Sequence, residues 1–274
     1  MKNCLLCNLN QADQQNSHIV PDFMTKRVFK SEKKKIREII SSPNSTYIIH
    51  NKQDTSKEDN ILCTECEQYF CTLEREFANK VHNNLWNEFQ PSEFEHKKSE
   101  TTIWREYKVN DKSLFYLFIY SLVFRCHISQ STSFSEFRLK DNDNNLIKSE
   151  LLKYRKRKRK EIIEITSKID LTNSIEFQLF IAEEFDKISS NIMTWMKIFN
   201  KPRDFLFLLG EYKLYISFDQ HFKTQFSNNN QSKSLNIIVL PKYEWRYFYN
   251  RDFQILQNTM IMQNPKEKIN LYLD

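Results

Sequence analysis

A chain of 274 residues that is 40% hydrophobic and 14% aromatic can bury a substantial core, and its length fits one large domain or a small module fused to a larger one. It carries a single glycine, Gly210, which excludes nucleotide sites whose phosphate loops depend on several freed backbone amides, so neither a Walker loop nor a Rossmann fingerprint is expected. The formal charge of +6 leans toward an anionic partner without requiring one.

The opening MKNCLLCNLNQADQQ turns polar at once and lacks the apolar core of a secretory signal. The longest apolar run, 114–124, is far shorter than the roughly 20 residues of a membrane span, and Arg125 closes it. Both features place the chain in the cytoplasm with no membrane partner, where paired cysteines are metal ligands more often than disulfides. Four of the six cysteines stand in two pairs, Cys4 with Cys7 and Cys63 with Cys66, each enclosing two residues. That spacing lets both sulfurs of a knuckle face one ion, and two knuckles complete a tetrahedral shell. Zinc is the usual occupant because four thiolates match its softness and it brings no redox chemistry; iron is the minor alternative. The competing readings are four unrelated core cysteines, which leaves the pairing to chance, and a redox CxxC, for which neither pair has an evident strand-to-helix context.

A metal bridging the two pairs closes a long loop. Inside it, SHIVPDF (17–23) is a short extended run suited to one strand of a hairpin, with His18 ahead of an apolar pair and Pro21. KRVFKSEKKKIREII (26–40) is a basic segment that either grips phosphates or forms a solvated helix face. SSPNSTYIIHNKQDTSKEDN (41–60) is rich in turn formers and predicts an exposed loop. After the second CxxC, Phe70, Leu73, Phe77 and Val81 recur at spacings of three and four, which predicts an amphipathic helix. Glu67, Cys71 and Glu74 share one edge of it.

Residues 110–129 predict a buried helix with Ser121 and Arg125 on one face. In KYRKRKRK (153–160), seven of eight residues are basic, and such a block repels itself into solvent. It is either a nucleic-acid contact through Arg155, Lys156, Arg157 and Lys158 or a solvated linker. Residues 172–199 mix helical and alternating patterns. In DFLFLLGEYKLYISFD (204–219) two alternating apolar runs meet at Gly210 and Glu211, and glycine at the first turn position suits a two-residue type II′ hairpin. NIIVLP (236–241) adds a third strand. His82, His96, His127 and His221 have no metal-site spacing and read as surface or locally satisfied residues. Trp86, Trp104, Trp195 and Trp245 read as core or interface anchors.

The order of parts, a CxxC, a His-Ile-x-Pro strand, Asn60 ahead of the second CxxC and then a helix carrying polar groups, resembles the zinc-supported HNH, or His-Me finger, endonucleases over roughly residues 1–90. The resemblance implies a ββα module in which His18 is the general base that activates water and Asn60 orients the hairpin. Glu67 and Cys71 fall at the two ligand positions of the helix. Ser17 stands where the family has a ligating His or Asp, and Glu67 and Cys71 stand where it has His. With these departures a catalytic magnesium or manganese would rest on Glu67 and Glu74, joined by Asp22 and the substrate phosphate. Residues 110–129 are also similar to an apolar helix with a Ser and a following Trp-Arg pair in a group of bacterial proteins that open with comparable CxxC, SHIxP and LCxxCE segments; here Phe124 replaces the Trp. The expected fold is therefore α+β, an N-terminal zinc-bound ββα (HNH-like) module over 1–90 followed by a mixed helix/antiparallel-sheet domain over 91–274. The expected activity is divalent-metal-dependent cleavage of nucleic acid, in the setting of phage or plasmid defence. The alternative is a catalytically silent zinc module that binds nucleic acid, or a protein partner through the C-terminal domain.

Overall fold

A computed structural model describes residues 2–29, 36–42, 45–52, 55–85, 94–99, 102–107, 112–134, 137–169, 171, 175–183, 192–197, 204–209, 211–218, 236–247, 250–251 and 254. The first CxxC precedes a two-residue strand, β1 (Ser17–His18), and helix α1 (Asp22–Phe29). That helix starts directly after Pro21, whose fixed φ suits the approach to a helix. β2 (Ile36–Ser42) and β3 (Ser45–Lys52) form an antiparallel hairpin, and β4 (Lys57–Glu58) returns to pair with β1. Helix α2 (Thr64–Phe77) opens on the second CxxC and is prolonged by a turn of π-helix (Ala78–His82) and the short α3 (Asn83–Leu85). Next come β5 (Phe94–Lys98), β6 (Ile103–Tyr107), α4 (Lys112–Ile128), a 3₁₀ turn (Thr132–Phe134), α5 (Asp141–Tyr154) and α6 (Arg159–Thr166). The chain then supplies β7 (Glu176–Ala182), β8 (Ile192–Lys197), β9 (Asp204–Leu209), β10 (Tyr212–Ser217), β11 (Asn236–Leu240) and a helix over 242–247.

Nine of these strands form one sheet in the order β3-β2-β8-β9-β10-β7-β11-β6-β5. The sheet is mixed rather than antiparallel as expected, because β2 runs parallel to β8 and β7 parallel to β11. A parallel neighbour needs a long connection, and the chain provides one over 183–235 between β7 and β11 and a far longer one over 43–191 between β2 and β8. A second expectation is also overturned: most of 41–60, read as an exposed loop, is strand. Ile39 pairs with Ile49 and Ile40 with Ile48 across the β2–β3 hairpin, and these β-branched residues outweigh the turn formers around them. The hairpin expected near Gly210 is present, with Leu209 opposite Tyr212; Gly210 itself lies outside the described residues. NIIVLP does supply a strand, though it sits between β7 and β6 and not beside β10. The mixed pattern of 172–199 resolves into β7 and β8.

α4 occupies the middle of a helix–helix–sheet sandwich. On one side Phe118 stacks on Phe77 of α2 with ring centroids 4.2 Å apart, and on the other Tyr116 and Tyr120 meet Phe177 of β7 at 5.2 and 5.9 Å. Such a helix must be apolar all round, which is why its sequence shows no helical stripe, and 14 of its residues are buried. Each Phe or Leu fully buried there contributes about 1.5–3 kcal/mol. Phe137 packs on Phe205 and Phe207 of β9, extending the same apolar face of the sheet. One buried core therefore runs from Cys4 to Trp245. Among the described residues no helix is long and apolar enough to cross a membrane.

Candidate metal centre

The two knuckles are built differently. In the first, the Asn8 amide donates to the Cys4 carbonyl at 2.9 Å, and Asn8 takes a φ of 55°, a left-handed conformation that asparagine tolerates. The amides of Leu6 and Cys7 bond the Cys4 sulfur. In the second, Cys63 is the N-cap of α2 and Cys66 lies in its first turn, so both sulfurs sit at the positive end of a helix. Backbone bonds from Leu5 to the Ile61 carbonyl (3.0 Å) and from Gln14 to the Leu62 carbonyl (3.1 Å) dock one knuckle on the other. The Asp13 carboxylate adds a bond from the Thr64 amide at 2.9 Å.

All four sulfurs are buried and lie within 4.8 Å of one another. Cys7 and Cys63 sulfurs are 3.9 Å apart, far beyond a disulfide of ~2.05 Å. That distance is close to the ~3.8 Å edge of a tetrahedron whose corners stand ~2.3 Å from a central ion. The six cysteines are free thiols. A hydrogen bond from Cys66, helped by the amides of Cys7, Cys63 and Leu6, pulls the Cys4 thiol down to about 4. The same bond and burial push Cys66 well above the thiol range, and burial pushes Cys63 up. Without a cation the shifts of Cys4 and Cys66 are driven apart by the bond they share, whereas a divalent cation favours the thiolate form of every sulfur around it. The tetrad fits a metal ion such as zinc, and four protein ligands leave no open coordination position, which is the arrangement of a structural site. Asn10 donates to the Cys63 sulfur at 3.8 Å from outside the shell.

The residues expected to be catalytic lie one helical turn and more along α2 and on β1. His18 is half-buried, and its carbonyl accepts a 2.6 Å bond from Arg125 Nη1 of α4. Arg125 Nη2 pairs with Glu74, and the guanidinium lies 5.1 Å over the Phe70 ring. Burial draws Arg125 below the usual guanidinium range, against the opposing fields of Glu67 and Cys71. Among the described residues one buried carboxylate oxygen of Glu67 and the buried Ser17 hydroxyl have no hydrogen-bond partner; Cys71 is exposed. Asn60 is exposed with a φ of 58°, and its amide bonds the Gln14 carbonyl at 2.8 Å, so asparagine here serves a left-handed turn. Asp22 is an exposed residue in the first turn of α1. Among the described residues, the cysteine tetrad is the one group of three or more His, Cys, Asp or Glu ligand atoms close enough to share an ion, so His18, Glu67, Glu74 and Asp22 are not brought into a common ligand set. Arg125, legible in the sequence only as the residue that closes the apolar run, is the side chain that links the His18 carbonyl to Glu74.

The basic block forms the turn between α5 and α6 and divides in two. Lys156, Arg157 and Lys158 are exposed, with Arg157 3.7 Å from Glu161. Arg155 departs from the expected nucleic-acid surface: its side chain is 4% exposed and pairs with Glu65. Arg159 pairs with the buried Glu76. Of the histidines, His82 bonds Tyr212 and lies 3.5 Å from Glu211, and His127 accepts from the Leu139 amide at 3.1 Å, so both are locally satisfied. His96 is exposed, Trp245 is buried, and Trp86 and His221 lie outside the described residues. Comparison of the chain with protein-family models, curated proteins and solved structures finds no match.

Proposed function

We propose that the protein is a zinc-structured module that binds nucleic acid and whose strand-and-helix corner is closed by an arginine instead of being open to a hydrolytic metal. The observation that carries this reading is Arg125, bonded at once to the His18 carbonyl and to Glu74. A divalent ion placed about 4 Å from that guanidinium meets a repulsion of roughly 8 kcal/mol at an effective dielectric of ~20. Glu74 is already neutralised and has little to offer such an ion. Nucleic acid is the partner that suits the exposed Lys156, Arg157 and Lys158 and the net charge of +6. In this reading residues 1–90 form the zinc module and 91–274 carry the basic turn and the greater part of the sheet.

The test is substitution of Lys156, Arg157 and Lys158 together by Gln, leaving the buried Arg155 intact. Affinity for mixed-sequence DNA or RNA should fall, and the slope of log affinity against log salt should flatten by roughly one unit for each phosphate no longer neutralised. Unchanged affinity and slope would leave the turn as solvated surface and remove the nucleic-acid reading.

A second reading, hydrolysis, is favoured by the buried oxygen of Glu67 that has no hydrogen-bond partner among the described residues. In it His18 takes the proton of an attacking water, while Glu67 and Glu74 hold magnesium or manganese once Arg125 releases Glu74. Defence against phage or plasmid DNA is the setting that goes with this activity. His18→Ala should then lower cleavage by ~10²- to 10⁴-fold with zinc content unchanged, and Glu67→Gln should impair it most at low metal concentration. Survival of plasmid, linear duplex, single-stranded DNA and RNA with every divalent metal tried leaves binding as the activity.

A further inference from the structure

The helix that follows β11 has a face that the core does not use. Over 242–247 it reads KYEWRY. Trp245 is 1% exposed and fixes the helix to the core, and its amide bonds the Pro241 carbonyl at 2.9 Å. On the other side Tyr243 is 79% exposed and Tyr247 60% exposed, and Arg246 beside them is exposed as well. Spacings of three and four put these three side chains on one face. Asn250 and Arg251, also helical and exposed, stand three and four residues beyond Tyr247, so the pattern continues. This set holds no carboxylate; Glu244 falls on its flank, half-buried. Large side chains scattered singly over a surface need no explanation, but two aromatic rings one turn apart with arginine beside them form a patch. The sheet brings one more cation to this end of the molecule. Val239 lies opposite Arg105, two residues before Pro241, and two residues beyond Arg105 on β6 the exposed Ile103 faces the exposed Lys98 of β5.

An exposed tyrosine presents a π-face that a nucleobase can cover, and a guanidinium beside it can hold the adjoining phosphate. Inside a duplex the bases already cover one another, so a ring on a protein surface gains a partner only from a base that is unstacked. Helix positions four apart rise about 6 Å, well beyond the ~3.4 Å between stacked bases, so the two rings suit successive bases of an extended strand and not those of a stack. We propose that Tyr243, Arg246 and Tyr247 form a platform for single-stranded nucleic acid, the rings stacking on unpaired bases while Arg246 and Arg251 neutralise the backbone. The inference rests on the nucleic-acid reading and deepens it by naming an unpaired strand as the ligand. The basic turn at 156–158 supplies charge, which attracts either form; the tyrosines supply the preference.

The experiment measures, by fluorescence anisotropy, binding of the full chain to labelled oligothymidylate and oligouridylate of about 20 nucleotides and to a mixed-sequence duplex of similar length. Wild type should bind the single strands more tightly than the duplex. Tyr243→Ala and Tyr247→Ala should each weaken single-strand binding by about 5-fold or more, the loss of one stacked base, with the salt slope unchanged. Tyr243→Phe keeps the ring and should stay within ~2-fold of wild type. Arg246→Gln should instead flatten the slope of log affinity against log salt by roughly 0.7 on single strands. Duplex affinity should hold in both Ala variants. If an Ala variant does not fold, Tyr243→Leu and Tyr247→Leu, which keep apolar bulk without a π-face, decide, and wild-type affinity in them overturns the proposal. Equal losses on duplex and single strands overturn it as well, as does a wild type that prefers the duplex. Single-strand binding that is weakened by substitution of Lys156, Arg157 and Lys158 but unchanged in the tyrosine variants overturns this inference alone and leaves the rings to a protein partner. A wild-type chain that binds none of the three ligands overturns the nucleic-acid reading itself, so the two failures are distinct.

Discussion

Metal analysis of the purified protein is expected to find about one zinc ion per chain, and Cys63→Ser is expected to unfold or aggregate the N-terminal part. The reason is that the tetrad is not held by packing alone. Four buried thiols within 4.8 Å of one another gain a common stabilising partner only when a cation binds, and metal binding at such a site is folding free energy, about 10–16 kcal/mol in small zinc modules at neutral pH. That is comparable to the whole net stability of a domain, ~5–15 kcal/mol, so removal of one ligand is not a local event. Removing metal with a strong chelator should have the same effect as the substitution. Acid should act in the same direction, because the ligands bind as thiolates and protons compete with the ion; zinc release should increase as pH falls, and readdition of base and zinc should reverse it. The released metal can be followed with a chromophoric dye while circular dichroism follows the fold. Normal stability of metal-free protein at neutral pH would end the structural-site assignment.

The second large effect is expected at Arg125. Its side chain is 1% exposed and Glu74 is 19% exposed, so the pair spans α4 and α2 inside the core. Breaking a buried ion pair by removing one partner costs about 3–5 kcal/mol, since the remaining charge is left without compensation. Arg125→Met should therefore lower stability by about 3 kcal/mol, toward the lower end because Glu74 retains some access to solvent. It also strips the His18 carbonyl of its donor. Arg125→Met combined with Glu74→Leu should recover a large part of that stability, because an apolar pair of similar volume carries no desolvation cost. Denaturant unfolding of the two variants measures the difference. A single variant as stable as wild type would show that the pair holds nothing together, and would weaken the case for an arginine-closed corner.

What could be read without a structure followed from how local each feature is. The tetrad was legible because paired CxxC spacing is a short-range signature of a shared ion. Phe70, Leu73, Phe77 and Val81 gave the buried face of α2 and the π-helical turn that prolongs it, because helical periodicity is a local signal. α4 was legible as a buried helix for the opposite reason: it has no polar face at all. Ile39, Ile40, Ile48 and Ile49 were hidden among Ser, Asn, Lys and Asp residues whose turn preferences are strong locally. Their β-branched side chains favour the hairpin, but its place in the sheet comes from β8 beside β2, far away in the chain, and no window of sequence contains both. The roles of Arg125 and Arg155 were equally non-local. Each was seen as a charge on its own helix or in its own run, while its meaning comes from α2 and the knuckles against which it is pressed. Glu67 and Glu74 share a helix edge, as the spacing requires, yet only Glu74 pairs with the arginine, and helical geometry alone does not separate the two.

The parallel pairing of β2 with β8 has a consequence for how the chain is made. β3 ends at Lys52, whereas β8 does not begin until Ile192, so a hairpin rich in isoleucine leaves the ribosome long before its neighbour in the sheet exists. At synthesis rates of ~5–20 residues per second that interval is on the order of ten seconds, during which one backbone edge of β2 has no strand to bond. The second CxxC follows the hairpin closely and precedes β8 by most of the remaining chain. Zinc capture can therefore gather the two ends of the nascent loop early and confine the waiting hairpin to the neighbourhood where β8 will later arrive. With the tetrad read as a zinc site, zinc depletion during expression is expected to raise the insoluble fraction through edge-to-edge aggregation, more than zinc removal from the finished protein does.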